Sequence, residues 1–128
     1  MQRLKLANEG SAQQSLRTVH SAQATYQATK GNGAYSANFA NLHADALIDT
    51  VLNSGSKSGY EFAIVEAAGT GPTAVYGVKC YPTITSGIAQ TGTRRFGVIE
   101  DGVMRGDSTV GTDPSTRALI TAMGVLGN

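Results

Sequence analysis

The sequence predicts an α+β fold, because a long amphipathic helix and a short second helix come first and the apolar pattern then changes from a helical period to a period of two. Helices and strands segregated in this way build a helix-on-sheet layer rather than alternating βαβ units. With 128 residues, 41% of them hydrophobic, the chain has material for one domain with a modest core. Sixteen glycines and no tryptophan point to many turns and a thin structure containing a sheet. The expected single domain, 1–128, divides into a projecting and packing helix (1–30), a helix-to-sheet connection (31–57), an antiparallel sheet (58–106) and a tail (107–128).

The first helix is expected from Leu4 to Thr29. Leu6, Ala12, Leu16, Val19, Gln23 and Tyr26 recur at three- to four-residue or whole-turn spacings, while Arg3, Lys5, Glu9, Gln13, Arg17, Thr18 and Gln27 are read as turning elsewhere. Only Met1, Gln2 and Arg3 precede Leu4, so no Ser, Thr, Asp or Asn is present to accept the orphan amides of a first turn. The helix therefore reads as the lower part of a longer one. At about 1.5 Å per residue it spans roughly 35 to 40 Å, its C-terminal half lying on the sheet and its polar N-terminal half projecting. Gly31-Asn32-Gly33 ends it, since these residues tolerate positive φ.

A short second helix is expected from Ala44 to Leu52, closed by Asn53-Ser54-Gly55. From Gly59 to Glu66 the residues Tyr60, Phe62 and Ile64 alternate with Glu61, Ala63 and Val65, which fits a strand with its aromatics turned inward. After a loop at Gly69 to Pro72, a second strand from Val75 to Tyr81 puts Tyr76, Val78 and Cys80 on one face, and Cys80 there is a packed, inert thiol. Thr, Ser and Gly dominate Pro82 to Gly92, a surface connection. A third strand, Arg94 to Glu100, turns Phe96 and Val98 inward, and Asp101-Gly102 is expected as a two-residue hairpin turn into Val103-Met104-Arg105. The result is a meander of three to four antiparallel strands. Asp113-Pro114 reads as an N-cap followed by proline at the first helical position, with Leu119, Ile120 and Met123 forming a short C-terminal stripe.

Ten basic and nine acidic residues leave a formal charge of +1, too little field to hold a polyanion, so no nucleic-acid partner is expected. No catalytic residue is assigned: His20 and His43 fall on different predicted helices, and neither is spaced to a carboxylate or cysteine in a catalytic motif. One cysteine and two histidines do not supply the about four Cys or His ligands of a zinc site. Asp101, Asp107 and Asp113 lie at six-residue intervals in a glycine-rich stretch, which leaves a freestanding ligand- or calcium-binding module as the alternative reading. Their spacing fits no EF-hand, and turn or capping roles explain them more simply. No cofactor is expected, since neither Gly31-Asn32-Gly33 nor Gly69-Thr70-Gly71-Pro72 precedes the Lys-Ser/Thr pair of a phosphate loop. Arg105-Gly106-Asp107 spells an adhesion tripeptide of negligible specificity, and alternation sends Arg94 and Arg95 to opposite faces.

Three segments in order carry a family resemblance. Ala7-Asn8-Glu9-Gly10-Ser11-Ala12, continued by Ser15 to Tyr26, resembles the stretch just after the membrane-spanning helix of type IV pilin-like proteins and pseudopilins, and Leu47 to Phe62 and Gly92 to Arg105 follow in the family's order. The resemblance implies a pilin-like α+β fold and a structural subunit of a type IV pilus or type II secretion pseudopilus, not an enzyme. It implies that the prepilin cleavage site and an apolar helix of some twenty residues are missing ahead of Met1. It implies homo-oligomeric filaments built through that helix, with other pilins or pseudopilins and the inner membrane as partners, in the bacterial cell envelope as a periplasmic or extracellular filament anchored in the membrane before assembly. Leu4 and Leu6, without a sheet to cover them, are the expected subunit-interface positions. Two departures stand out: the cysteine pair of many pilins is missing, and the tail from Pro114 to Met123 reads as helical where many relatives are extended.

Overall fold

The computed structural model, which describes residues 2–126, places 27 residues in one helix, α1 (Gln2–Ala28). Its buried face consists of Glu9, Ala12, Ser15, Leu16, Val19, Ala22 and Gln23, a stripe at helical spacing. The helix ends as expected: Gly31 N–H donates to the Tyr26 carbonyl at 2.7 Å and Gly33 N–H to that of Gln27 at 2.8 Å. Asn32 and Gly33 supply the positive φ that lets these bonds form. Docking starts much earlier than expected. The expected projection of the whole N-terminal half is corrected to a projection of its first turns, because side chains from Asn8 onward already bond the sheet end.

The second helix is not one element. Asn38 caps α2 (Phe39–Ala44) by accepting from Asn41 N–H, and Asp49 caps α3 (Thr50–Asn53) by accepting from Leu52 N–H. Between them Ala46 adopts φ +58, which no helix can pass through, so the expected Ala44 to Leu52 helix is broken at its third residue. The two short helices bury Phe39, Leu42 and Leu52 beside α1.

Six antiparallel strands follow chain order: β1 (Ser56–Lys57), β2 (Tyr60–Ala68), β3 (Val75–Pro82), β4 (Arg95–Ile99), β5 (Arg105–Asp107) and β6 (Gly124–Val125). The expected three or four strands are thus extended at both edges by two-residue strands. Ser58 and Gly59, both at positive φ, close the β1–β2 hairpin in the turn geometry that matches strand twist. Phe62, Cys80 and Phe96 align across three strands, as do Ile64, Val78 and Val98, and these two rows form the floor on which α1 lies. Cys80 is fully buried, and the loss of solvent pushes its thiol well above the ordinary value despite a backbone hydrogen bond involving Phe96.

The β4–β5 connection is wider than the expected two-residue turn. The last pair is Gly97 with Arg105, so seven residues intervene, among them a turn in which Gly102 N–H reaches the Ile99 carbonyl at 3.0 Å. Ile99 is committed instead to Gly77 on β3, and Glu100 turns its carboxylate to Arg117, which opens the hairpin. The strand expected at Val103 to Arg105 consequently begins at Arg105.

The opposite sheet face receives α4 (Arg117–Thr121), whose Ile120 joins Ile99 and Met123 in a second small core with Val65 packed against it. Thr116 is the N-cap, accepting from Leu119 N–H, which corrects the expected Asp113 cap with Pro114 at the first helical position. Asp113 is drawn away by the ammonium of Lys79, a residue only 8% exposed on β3 and in need of a counter-charge. Glycines make room for α4: a Cβ on Gly97 would come within 2.8 Å of Ile120 and 3.0 Å of Met123.

Gly97→Val therefore lowers the unfolding free energy by about 1–3 kcal/mol in a urea titration, by overpacking the α4 face. Ser15→Ala moves the other way, leaving stability unchanged or raising it by up to about 1 kcal/mol, since the buried Ser15 hydroxyl has no hydrogen-bond partner among the described residues.

Candidate functional site

At its N-terminal end α1 leaves the sheet. Leu4 and Leu6, the expected interface residues, are 60% and 56% exposed on the turns that precede the first contact with the sheet. That first contact is polar. Asn8 Nδ2–H donates to the Thr91 carbonyl at 3.0 Å, and Ser11 Oγ lies 2.9 Å from Ser58 Oγ.

One residue beyond Asn8, the Glu9 carboxylate enters the protein. Its Oε2 accepts from Thr93 N–H at 2.8 Å and from the Thr93 hydroxyl at 2.6 Å, and its Oε1 accepts from Arg94 Nε at 3.0 Å. Glu9 is 2% exposed, which corrects the reading that turned it to solvent. The spacing itself held the signal, because Glu9 stands three residues before Ala12 and seven before Leu16 on the buried stripe. Burial raises the Glu9 carboxyl, but the two Thr93 donors and the Arg94 guanidinium outweigh it and hold the group below its ordinary value. Arg94 also lies 5.1 Å over the Phe96 ring, while its carbonyl accepts from the Tyr60 hydroxyl at 2.6 Å. A side chain at Gly92 would strike that hydroxyl, so the strand entry needs glycine for close approach.

A second polar anchor fixes the far end of the helix. Gln23, fully buried, donates to the Ser36 carbonyl at 2.9 Å and accepts from Ser36 N–H at 2.8 Å. Between Glu9 and Gln23 the buried residues of the helix are Ala12, Ser15, Leu16, Val19 and Ala22.

The remaining candidate residues are distributed over separate partners. His20 Nδ1 lies 2.9 Å from the Tyr76 hydroxyl, and His43 Nε2 lies 3.3 Å from Thr50 Oγ1, so each imidazole meets a hydroxyl on its own part of the fold. The three aspartates of the alternative reading are each committed to a different cation: Asp101 to Arg105 at 3.1 Å, Asp107 to Arg95 at 2.8 Å and Asp113 to Lys79. Among the described residues, no group of three or more His, Cys, Asp or Glu side chains lies together as a metal cage. No helix of the described residues is long and apolar enough to cross a membrane. Arg95 and Arg94 do face opposite sides of the sheet, the first bonded to Asp107 and the second to Glu9. No family model, curated protein or solved structure matches this chain.

Because the folded Glu9 carboxyl is held below its unfolded value near 4.5, its contribution to stability is full above that pH and is lost as the pH falls through the folded value. Glu9→Gln accordingly costs about 1–3 kcal/mol at about pH 7 in chemical denaturation, and the gap between variant and parent narrows towards about pH 3.

Proposed function

We propose that this chain is the globular domain of a filament subunit of the type IV pilin or pseudopilin class, with a structural rather than a catalytic role. The observation that carries the reading is the projecting start of α1, whose Leu4 and Leu6 are exposed while the helix behind them is locked to the sheet at Glu9. Three ordered segments resembling that family, and a long helix laid across an antiparallel sheet as a pilin-like fold requires, support it. In the full-length subunit an apolar helical segment ahead of Gln2 holds the protein in the inner membrane and then in the filament core. Burial of apolar helix surface there, at about 25 cal/mol per Å², drives polymerisation. The globular domains decorate the outside, related by a head-to-tail contact that does not close. Partners are further copies, other pilins or pseudopilins and the inner membrane, which places the protein in the bacterial cell envelope.

The codons upstream of Met1 test the class directly. A leader ending in glycine and then about twenty apolar codons are expected, and an upstream stop codon in frame, with Met1 as the start, ends the proposal. In the full-length protein, Leu4→Asp combined with Leu6→Asp abolishes filaments seen by electron microscopy, while the same pair changes the stability of the 128-residue chain by less than about 0.5 kcal/mol. Filaments of ordinary length from that double variant would remove both leucines from the interface.

A further inference from the structure

The sheet end that meets the start of α1 carries a second exposed apolar feature, on the connection between β3 and β4. Residues 83–91 read Thr-Ile-Thr-Ser-Gly-Ile-Ala-Gln-Thr and contain no charged side chain. Ile88 is 97% exposed and Ile84 is 42% exposed. The base of this loop is closed by Thr91 N–H to the Ile84 carbonyl at 3.0 Å, and Thr83 N–H reaches the Gly59 carbonyl at 2.8 Å. At the tip, Gln90 N–H reaches the Gly87 carbonyl at 3.2 Å. Ile88 thus stands on a formed stem.

The direction of the helix shows where that stem lies. Glu9 bonds Thr93 and Arg94 just before β4 begins, and His20 bonds Tyr76 where β3 begins, so α1 runs parallel to β4 and antiparallel to β3. The loop that joins the end of β3 to the start of β4 therefore extends from the same end of the sheet as the first turns of α1. Asn8 ties the two together through the Thr91 carbonyl, and Leu4 precedes Asn8 by about one helical turn.

Outward charge at this end is basic except for the half-buried Glu61. Arg3 and Lys5 interleave with Leu4 and Leu6 on the projecting turns. Glu9, the first acidic residue of the chain, is buried against Arg94, and Glu61 accepts from the Thr83 hydroxyl at 3.1 Å. An uncharged loop with an isoleucine tip and hydroxyl shoulders at Thr83, Thr85 and Ser86 can enter an interface without dehydrating an ion. A single side chain standing clear of its surroundings is buried well by a fluid phase that closes around it, with no preformed pocket needed.

We propose that loop 83–91 and the helix end 3–6 form one docking end that seats on an anionic lipid surface, with Ile88, Ile84 and Leu4, which shares the face of Asn8, entering the acyl boundary and Arg3 and Lys5 at the headgroups. Apolar insertion combined with basic residues at the headgroup level is how interfacial segments hold to anionic membranes. This docking does not depend on polymerisation, since every residue in it lies within the 128-residue chain.

Co-sedimentation of the 128-residue chain with sonicated vesicles tests it. Vesicles of phosphatidylglycerol mixed equally with phosphatidylcholine bind the chain, pure phosphatidylcholine binds it far more weakly, and raising the salt from about 0.1 to about 0.5 M weakens the binding. Ile88→Asp lowers the partition coefficient by about tenfold or more, Arg3→Glu with Lys5→Glu removes the preference for the anionic lipid, and Leu119→Asp, at an exposed leucine on α4, leaves partitioning unchanged. Unchanged far-ultraviolet circular dichroism shows that each variant is folded. Equal binding to both vesicle types, no binding to either, or undiminished binding by folded Ile88→Asp overturns the proposal. So does a chain that dimerises without vesicles and becomes monomeric on Ile88→Asp with its vesicle partitioning intact, because the loop would then contact a second copy. Failure in any of these ways leaves the filament reading standing, which the upstream codons decide separately.

Discussion

The position of α1 on the sheet depends on one buried carboxylate. Glu9 is almost fully withdrawn from solvent, and a carboxylate in that position is tolerable only if its lone pairs are met, which the Thr93 amide, the Thr93 hydroxyl and Arg94 do. Apolar contact alone tolerates a helix sliding or rotating slightly on its floor, because the hydrophobic effect has no direction. Three hydrogen bonds to one side chain do not. Sliding α1 by one turn would strand the Glu9 charge and the Thr93 donors together, at a cost of several kcal/mol. Gln23 repeats the device at the other end by bonding both the N–H and the carbonyl of Ser36, so the helix is fixed at two points with Ala12, Leu16 and Val19 packed between them.

The two faces of the sheet are held by different physics. Under α1, aromatic and branched side chains in aligned rows exclude water, and the polar groups there include the anchors just described, the Ser15 hydroxyl and the His20–Tyr76 pair. On the other face, among the described residues, the core is Ile99, Ile120 and Met123 with Val65, seated over Gly77 and Gly97. Around it run the ion pairs Lys79–Asp113, Arg95–Asp107 and Arg117–Glu100. The burial of Lys79 and Arg95 distinguishes these from ordinary surface pairs, since each cation would otherwise lie uncompensated in the protein. The chain after β5 is therefore docked by charge as much as by apolar contact. Arg117 links it in two ways, its backbone N–H held by Glu66 at 2.8 Å and its guanidinium by Glu100.

What could be read from the sequence follows the same division. Strands whose side chains face the large core announce themselves by alternation, and Tyr60, Phe62, Tyr76, Val78, Phe96 and Val98 all lie on the inner face as their spacing requires. The edge strands gave no such signal because two residues cannot display a period, although Ser58-Gly59 is a hairpin dipeptide between them. Glu9 was misread because a charged residue on a helix is normally solvated, and its partner Arg94 lies 85 residues away where no local pattern can connect them. Asp113-Pro114 offered correct cap chemistry, but the buried Lys79 ammonium competed for the same carboxylate and Thr116 was available three residues on. Leu4 was legible as uncovered, whereas Leu6 shared the spacing of the buried stripe and is exposed because contact with the sheet end begins only at Asn8.

The exposed start of α1 has an energetic implication that follows from the Glu9 anchor. Helical structure is costly to nucleate and cheap to extend, so turns that pack on nothing persist by propagation from turns that are fixed. Here the fixed nucleus begins at Asn8 and Glu9, and the turns ahead of it contain Leu, Lys and Arg, all good helix formers, with no glycine or proline before Gly10. A sequence needing only a solvated end could place polar residues at Leu4 and Leu6 with no loss of propensity, since glutamine, lysine and glutamate serve as well there. Leu4 and Leu6, both more than half exposed and two residues apart, face nearly opposite sides of that helix, so a flat cover reaches one of them at a time. Leu4, on the side of Asn8, is the one that stands beside loop 83–91 and its exposed Ile88.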